Sequence, residues 1–258
     1  MIDYHTHSLY SDGKNTYKEL LDTAYKKNLS EIGFSDHLCL HYPDWAVKES
    51  QLLKLSDDII SLKNNSSSPV KVKFGFEVDY IDGKEDEIRK MLEKFPLDYA
   101  IGSVHYINNW NFDTIVDDYH SIDIDKFYND YFLLIQKAAK SKLFDIIGHA
   151  DLAKKFAFYP SFNLDAIYEE TAKVFAESNA VVELNTSGKD KPCKEFYPSV
   201  DFLKQCFNHG VPVTLGSDSH HIPHLARYFN DAIQLLIEVG YTQIVSFTQR
   251  KPNYIPLV

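Results

Sequence analysis

The chain has 258 residues, 44% hydrophobic and 25% charged, with 27 Lys and Arg against 37 Asp and Glu for a formal charge of −10. That composition fits a globular protein able to bury roughly 70–75% of its unfolded surface, and it excludes disordered and collagenous chains. The acid excess disfavours nucleic acid and anionic membranes as partners. No apolar run approaches the ~18 residues of a bilayer span. Met1 leads straight into Ile-Asp-Tyr-His, without a basic and then apolar leader, so a cytoplasmic protein is expected. Cys39, Cys193 and Cys206 are too few and too scattered for a disulfide framework or a CxxC site.

In chain order, β-rich runs fall at 2–7, 31–37, 71–80, 99–107, 146–151, 180–186 and 211–217. Amphipathic helical patterns fill the intervals at 17–28, 48–64, 85–95, 123–141, 164–178 and 199–208, and one more follows at about 224–239. Asn15 or Thr16 is placed to cap the first helix, and Asn163 precedes another. Breaks fall at the polar 64–69 stretch, Pro160, Gly188, Gly210 and Pro223. Strict βα alternation implies an α/β fold with parallel strands, either a barrel or a doubly wound sheet. Alternation resumes directly after residue 69, so a single domain over residues 1–258 is expected. No GxGxxG or GxxxxGK loop follows any strand, which excludes the usual nucleotide cradles.

The histidines carry the functional signal. Of 11 in the chain, His5, His7, His37, His105, His149 and His220 all fall at or just beyond strand carboxyl ends. Parallel βα folds build their sites at that end. Glu77 lies late in the third strand and Asp218 just after the seventh. His5-Thr6-His7 and Asp218-Ser219-His220 are i, i+2 pairs, which point the same way on an extended chain. Asp12, in the Ser11-Asp12-Gly13 turn, sits in the first βα loop above His7. Imidazole and carboxylate without thiolate suit hydrolytic Zn, Mn or Fe. These nine residues are more than one or two ions need.

The segments HTHSLYSDG, FSDH, GFEVDY, GSVHY, IGHAD and GSDSH, in that order, resemble the PHP (polymerase and histidinol phosphatase) superfamily, and within it the histidinol-phosphatases. The resemblance implies a distorted seven-stranded parallel βα barrel of the PHP, TIM-like type with three divalent metal ions (Zn, Mn or Fe). On that pattern His5, His7, Glu77 and Asp218 hold the first ion. Glu77, His105 and His149 hold the second, with Glu77 bridging, and Asp12, His37 and His220 hold the third. A metal-bridged hydroxide would attack the phosphorus of L-histidinol phosphate, giving L-histidinol and phosphate in histidine biosynthesis. Three divalent ions set against three carboxylates and one hydroxide leave about two positive charges, matching a phosphate monoester dianion. Asp218 is the catalytic candidate, taking the nucleophile's proton and returning one to the leaving alkoxide.

Where the family places phosphate-binding arginines, after the fifth and sixth strands, this chain carries Lys154 and Lys155, then Lys189, Asp190 and Lys191. Those lysines are candidate substrate contacts, with solvated surface charge as the alternative. Lys lacks the bidentate fork of Arg. Asn185, at the end of the sixth strand, is placed either to contact substrate or to order its loop; His41 is a further pocket candidate. His120, His209, His221, His224, Arg227 and Arg250 are expected to be structural or surface residues. Two other functions compete: a PHP phosphoesterase acting on a nucleotide or phosphotyrosine, and a non-catalytic metal-binding PHP module.

Overall fold

In the computed structural model, residues 1–41, 43–114 and 116–257 are described. Tyr42, Ile115 and Val258, which fall within the single domain expected, lie outside the described residues. The elements, in order, are β1 (Ile2–Asp3), α1 (Tyr17–Lys26), β2 (Glu31–Phe34), β3 (His37–Leu38), α2 (Leu52–Asn65), β4 (Lys71–Phe74), β5 (Glu77–Asp79) and α3 (Glu85–Leu92). They continue with β6 (Ile101–Ser103), β7 (Tyr106–Ile107), β8 (Trp110–Asn111), α4 (Ile124–Lys140), β9 (Ile146–Ile147), α5 (Asp165–Ser178) and β10 (Val181–Asn185). The last are α6 (Val200–Asn208), β11 (Val213–Gly216), α7 (Phe229–Val239), β12 (Gln243–Thr248) and β13 (Lys251–Pro256).

The fold is α/β with parallel sheets. One sheet has the order β1-β2-β4 and a second β11-β10-β9-β6-β5-β3, with every pairing in both parallel. Backbone bonds from Tyr4 N to Leu215 O (3.1 Å) and His7 N to Ser219 O (2.9 Å) tie the strand-1 segment to the end of the second sheet. The expected continuous runs at 31–37 and 71–80 are each divided between the two sheets, as β2 with β3 and β4 with β5.

Tyr99 sits where these strands divide. Its ring stacks on Tyr4 at 4.7 Å, and its hydroxyl donates to Tyr4 O at 2.6 Å. A Cβ at Gly33 would lie 2.2 Å from the Tyr99 hydroxyl and one at Gly75 2.4 Å from its ring, so only glycine admits the tyrosine. Tyr99 is fully buried, and burial of such a side chain contributes about 1.5–3 kcal/mol.

The helices follow the sequence pattern closely. Thr16 caps α1 in a reciprocal box with Glu19. Asn163 Oδ1 accepts the Asp165 N–H at the start of α5, and left-handed Asn179 ends that helix. The seventh helix begins later than expected, at Phe229, after a short 3-10 turn over Ile222–His224.

The β12–β13 hairpin was not anticipated. Its turn residues Gln249 and Arg250 both adopt positive φ without being glycine. Tertiary bonds hold them there: Gln249 N donates to Asp98 Oδ1, Arg250 N to Asp98 O, and Arg250 Nε to Asp145 Oδ2 at 2.8 Å. Phe247 N donates to Tyr4 Oη and Thr214 Oγ1 to Val245 O, seating the hairpin against the strands at the end away from the histidines. Among the described residues no helix is long and apolar enough to cross a membrane.

Candidate metal centre and cleft

Seven of the nine residues singled out by position line one cleft of about 400 Å³, and the other two, His5 and His7, are buried directly behind Glu77 and Asp218. Strand ends and their following loops deliver them, as the parallel arrangement requires. Glu77 is at the centre. Its Oε2 lies 3.1 Å from His5 Nε2, 3.5 Å from His7 Nε2 and 2.9 Å from His37 Nδ1. Its Oε1 lies 2.8 Å from His149 Nε2 and 3.6 Å from His105 Nε2, and accepts from Ser103 Oγ at 2.6 Å. Asp218 Oδ1 lies 3.4 Å from both His7 Nε2 and His220 Nδ1. Asp12 faces His37 at 3.6 Å and His220 at 3.2 Å.

Three groups of donor atoms are each close enough for a shared ion: His7, Asp12, His37 and His220; His5, Glu77 and His149; and His5, His7 and Asp218. His5 Nε2, both ring nitrogens of His7, His37 Nδ1 and Glu77 Oε2 are buried without a hydrogen-bond partner. Buried polar atoms are normally paired. So many orphaned lone pairs aimed at common points fit divalent cations, and the imidazole–carboxylate chemistry is that of catalytic Zn, Mn or Fe.

The protonation pattern supports the same reading. Burial opposes charge on His5, yet Glu183, then Glu77 and Asp218, raise its pKa well above the ordinary value. Burial likewise opposes charge on His105 and His220, but Asp79 lifts the first to about 10 and Asp12 with Asp218 lifts the second to about 9. Burial, with His220 and His37 adjacent, lowers His7 to about 3. For Glu77 and Asp218 burial is the largest opposing influence, and neighbouring histidines, His5 foremost, hold both well below the carboxylate range.

Sequence reasoning missed the residues that orient these groups. Glu183 Oε1 lies 2.7 Å from His5 Nδ1, while its Oε2 accepts from His149 N (2.9 Å) and Asn185 Nδ2 (3.1 Å). A Cβ at Gly216 would come within 1.8 Å of Glu183 Oε1, so that glycine makes room for the carboxylate. Asp79 Oδ1 holds His105 Nδ1 at 2.8 Å. Both patterns are the carboxylate–histidine partnership that fixes the ring and tautomer of a metal ligand.

The substrate candidates divide. Lys155 and Lys191 line the cleft, Lys155 paired with Asp113 at 2.6 Å. Lys154 does not reach it. It is buried, donating to Glu195 Oε2 at 2.8 Å and Phe196 O at 2.7 Å, with Asp151 at 3.0 Å. Asn185 is buried beneath the cleft, bonded to Glu183 and accepting from Ser187 N. Lys189 lies over the Phe196 ring at 5.0 Å, and His41 lines a separate depression with Tyr80 and Tyr106. His224 and Arg227, expected to be structural or surface residues, line the cleft, as do Trp45 and Asp113.

A family model described as PHP domain matches residues 3–187. The chain is 34% identical to a probable histidinol-phosphatase of Deinococcus radiodurans, over 97% of this chain and 98% of that one. A crystal structure of histidinol phosphate phosphatase from Lactococcus lactis subsp. lactis, complexed with zinc, L-histidinol and phosphate, superposes with a TM-score of 0.86 at 23% identity, covering 98% of each chain. A putative histidinol phosphatase from Listeria monocytogenes gives a TM-score of 0.77 at 21% identity, covering 90% of this chain and 99% of that one.

Proposed function

The chain belongs to the PHP domain family, and from that premise we propose that it is a histidinol-phosphatase, hydrolysing L-histidinol phosphate to L-histidinol and phosphate. The observation that carries this is the convergence of six histidines and three carboxylates, with orphaned buried donor atoms, at the floor of a cleft that also presents Lys155 and Lys191. The 34% identity over nearly the whole chain supports the substrate. We also propose one domain over residues 1–258 and a distorted seven-stranded barrel, a reading supported by the backbone bond from Tyr4 N to Leu215 O between the two sheets.

His5, His7, Glu77 and Asp218 would hold one divalent ion, Glu77, His105 and His149 a second, and Asp12, His37 and His220 a third. When bound, such ions neutralise phosphoryl charge and raise the acidity of water. The chain's own residues do the rest. Glu183 and Asp79 fix the rings of His5 and His105. Lys155 and Lys191 draw the phosphate dianion into an otherwise acidic protein, and Lys155 is held in place by Asp113. Asp218, with Oδ2 accepting from Ser187 Oγ at 3.1 Å, takes the proton of the attacking water and returns one to the leaving alkoxide.

The test is chelation and reconstitution. Phosphate release from L-histidinol phosphate should cease on removal of metal and return with zinc, while Asp218→Asn should stay inactive after reconstitution. Full turnover by the metal-free protein would overturn the proposal.

A further inference from the structure

Arg227 lies outside the segments that resemble the family, and it lines the cleft with its side chain only 11% exposed. Four hydrogen bonds occupy its guanidinium. Nε and Nη2 donate to Ser217 O at 3.2 and 3.1 Å, and Nη2 reaches Asp218 O at 3.3 Å. Nη1 donates to Asp190 Oδ2 at 2.8 Å, and Asp190 Oδ1 accepts from Tyr228 Oη at 2.6 Å. The fork therefore spends its donors chiefly on the backbone beside Asp218, leaving little for a ligand in the cleft.

The backbone at that point needs holding. Asp218 has φ 50°, a left-handed conformation costly for a non-glycine residue, and it persists only where its surroundings impose it. Ala226 (φ 51°) and Tyr228 (φ 57°), on either side of Arg227, adopt the same unfavourable region. Asp3 fastens both segments at once, accepting from Ser217 N (2.9 Å), Ser217 Oγ (2.5 Å) and Ala226 N (2.9 Å). Three strained residues and a buried carboxylate thus bring one arginine onto the carbonyls that set the direction of the Asp218 side chain.

We propose that Arg227, anchored by Asp190, is the positioning residue of Asp218: its clamp on the Ser217 and Asp218 carbonyls holds the left-handed turn that aims the Asp218 carboxylate at His5 and His7. Asp190, which stands where the family would carry a phosphate-binding arginine, serves here as the counter-ion of that clamp. The inference rests on reading Asp218 as a metal ligand.

The experiment compares wild type, Arg227→Lys, Arg227→Ala and Asp190→Asn after zinc loading. It measures zinc loss to a competing chelator, thermal unfolding of the metal-free proteins, and kcat and KM. Loss of an outer-shell partner typically weakens metal affinity roughly 10–100-fold. The expectation is a fall in that range for Arg227→Ala with kcat reduced, no rescue by Arg227→Lys because a single ammonium lacks the planar fork that reaches Asp190 and both carbonyls at once, and a smaller fall for Asp190→Asn. Unchanged zinc retention with a raised KM alone would make Arg227 a direct substrate contact and overturn the proposal. Lowered unfolding temperature with unchanged zinc retention would make it a structural residue only, and would also overturn it. Should Arg227→Ala fail to fold, Asp190→Asn decides, since Asp190 is partly exposed and its loss leaves the buried network intact. Failure of the wild type itself to retain zinc would instead defeat the metal reading on which the inference rests.

Discussion

Replacing Glu183 with Gln changes no volume but removes one acceptor and one charge from a fully used carboxylate. Three donors converge on it: His5 Nδ1, His149 N and Asn185 Nδ2. A glutamine can turn its oxygen either to His5 or to the other two, and its NH2 then meets at least one donor head-on. A buried donor left without a partner costs about 1–3 kcal/mol, and charge-assisted bonds are roughly twice as strong as neutral ones. The expected loss of folding stability in the metal-free protein is therefore about 2–5 kcal/mol, read by urea unfolding. His5 also loses the first of the carboxylates that offset its burial, so its ring is no longer fixed for ligation. Zinc affinity should fall roughly 10–100-fold, equivalent to about 1.4–2.7 kcal/mol. A Glu183→Gln protein within about 0.5 kcal/mol of wild type, with unaltered zinc retention, would refute the claim that this carboxylate organises the centre.

Other outcomes are expected from the same geometry. His105 and His220 bind protons more tightly when folded than unfolded, so in the metal-free protein their stabilisation is full below about pH 6.5 and lost as pH rises through 9 to 10, and His5 contributes with the same sign. His7 has the opposite sign, losing stability as pH falls from 6.5 toward 3. Zinc uptake near pH 7.5 should consequently release protons, seen as a buffer-dependent binding enthalpy; a buffer-independent enthalpy would contradict the assignment. Lys155→Ala and Lys191→Ala should chiefly raise KM, whereas Lys154→Ala should lower the unfolding temperature with little effect on KM, because Lys154 is enclosed by Asp151, Glu195 and Phe196. The reverse pattern in steady-state kinetics and thermal melts would reassign the three lysines.

The residues pointing into the cleft were legible because their chemistry is uncommon and their positions regular. Histidines at successive strand ends, and two i, i+2 pairs, need only the pleat of an extended chain to place them together. The residues that orient them are ordinary carboxylates within strands. Asp79 could have been found by the rule that paired His5 with His7, since it lies two residues beyond Glu77 on one short strand. Glu183 left a weaker sign, a charge inside the buried run Val181–Asn185. Arg227 left none, because its role depends on left-handed turns at Ala226 and Tyr228 that no glycine or asparagine marks. The C-terminal hairpin was obscured for the same reason: Gln249 and Arg250 take a glycine-like turn under the pull of Asp98 and Asp145. The need for glycine at positions 33 and 75 was hidden likewise, because the side chain they make room for, Tyr99, is distant in sequence.

The central claim is tested most directly by steady-state phosphate release from the zinc-loaded protein, with L-histidinol phosphate, p-nitrophenyl phosphate and AMP compared side by side. The account predicts a kcat/KM for L-histidinol phosphate at least about 10³-fold above the other two, which is ~4 kcal/mol of differential transition-state binding. Comparable slow rates on all three would contradict it, leaving a metal-dependent phosphoesterase whose substrate is not L-histidinol phosphate.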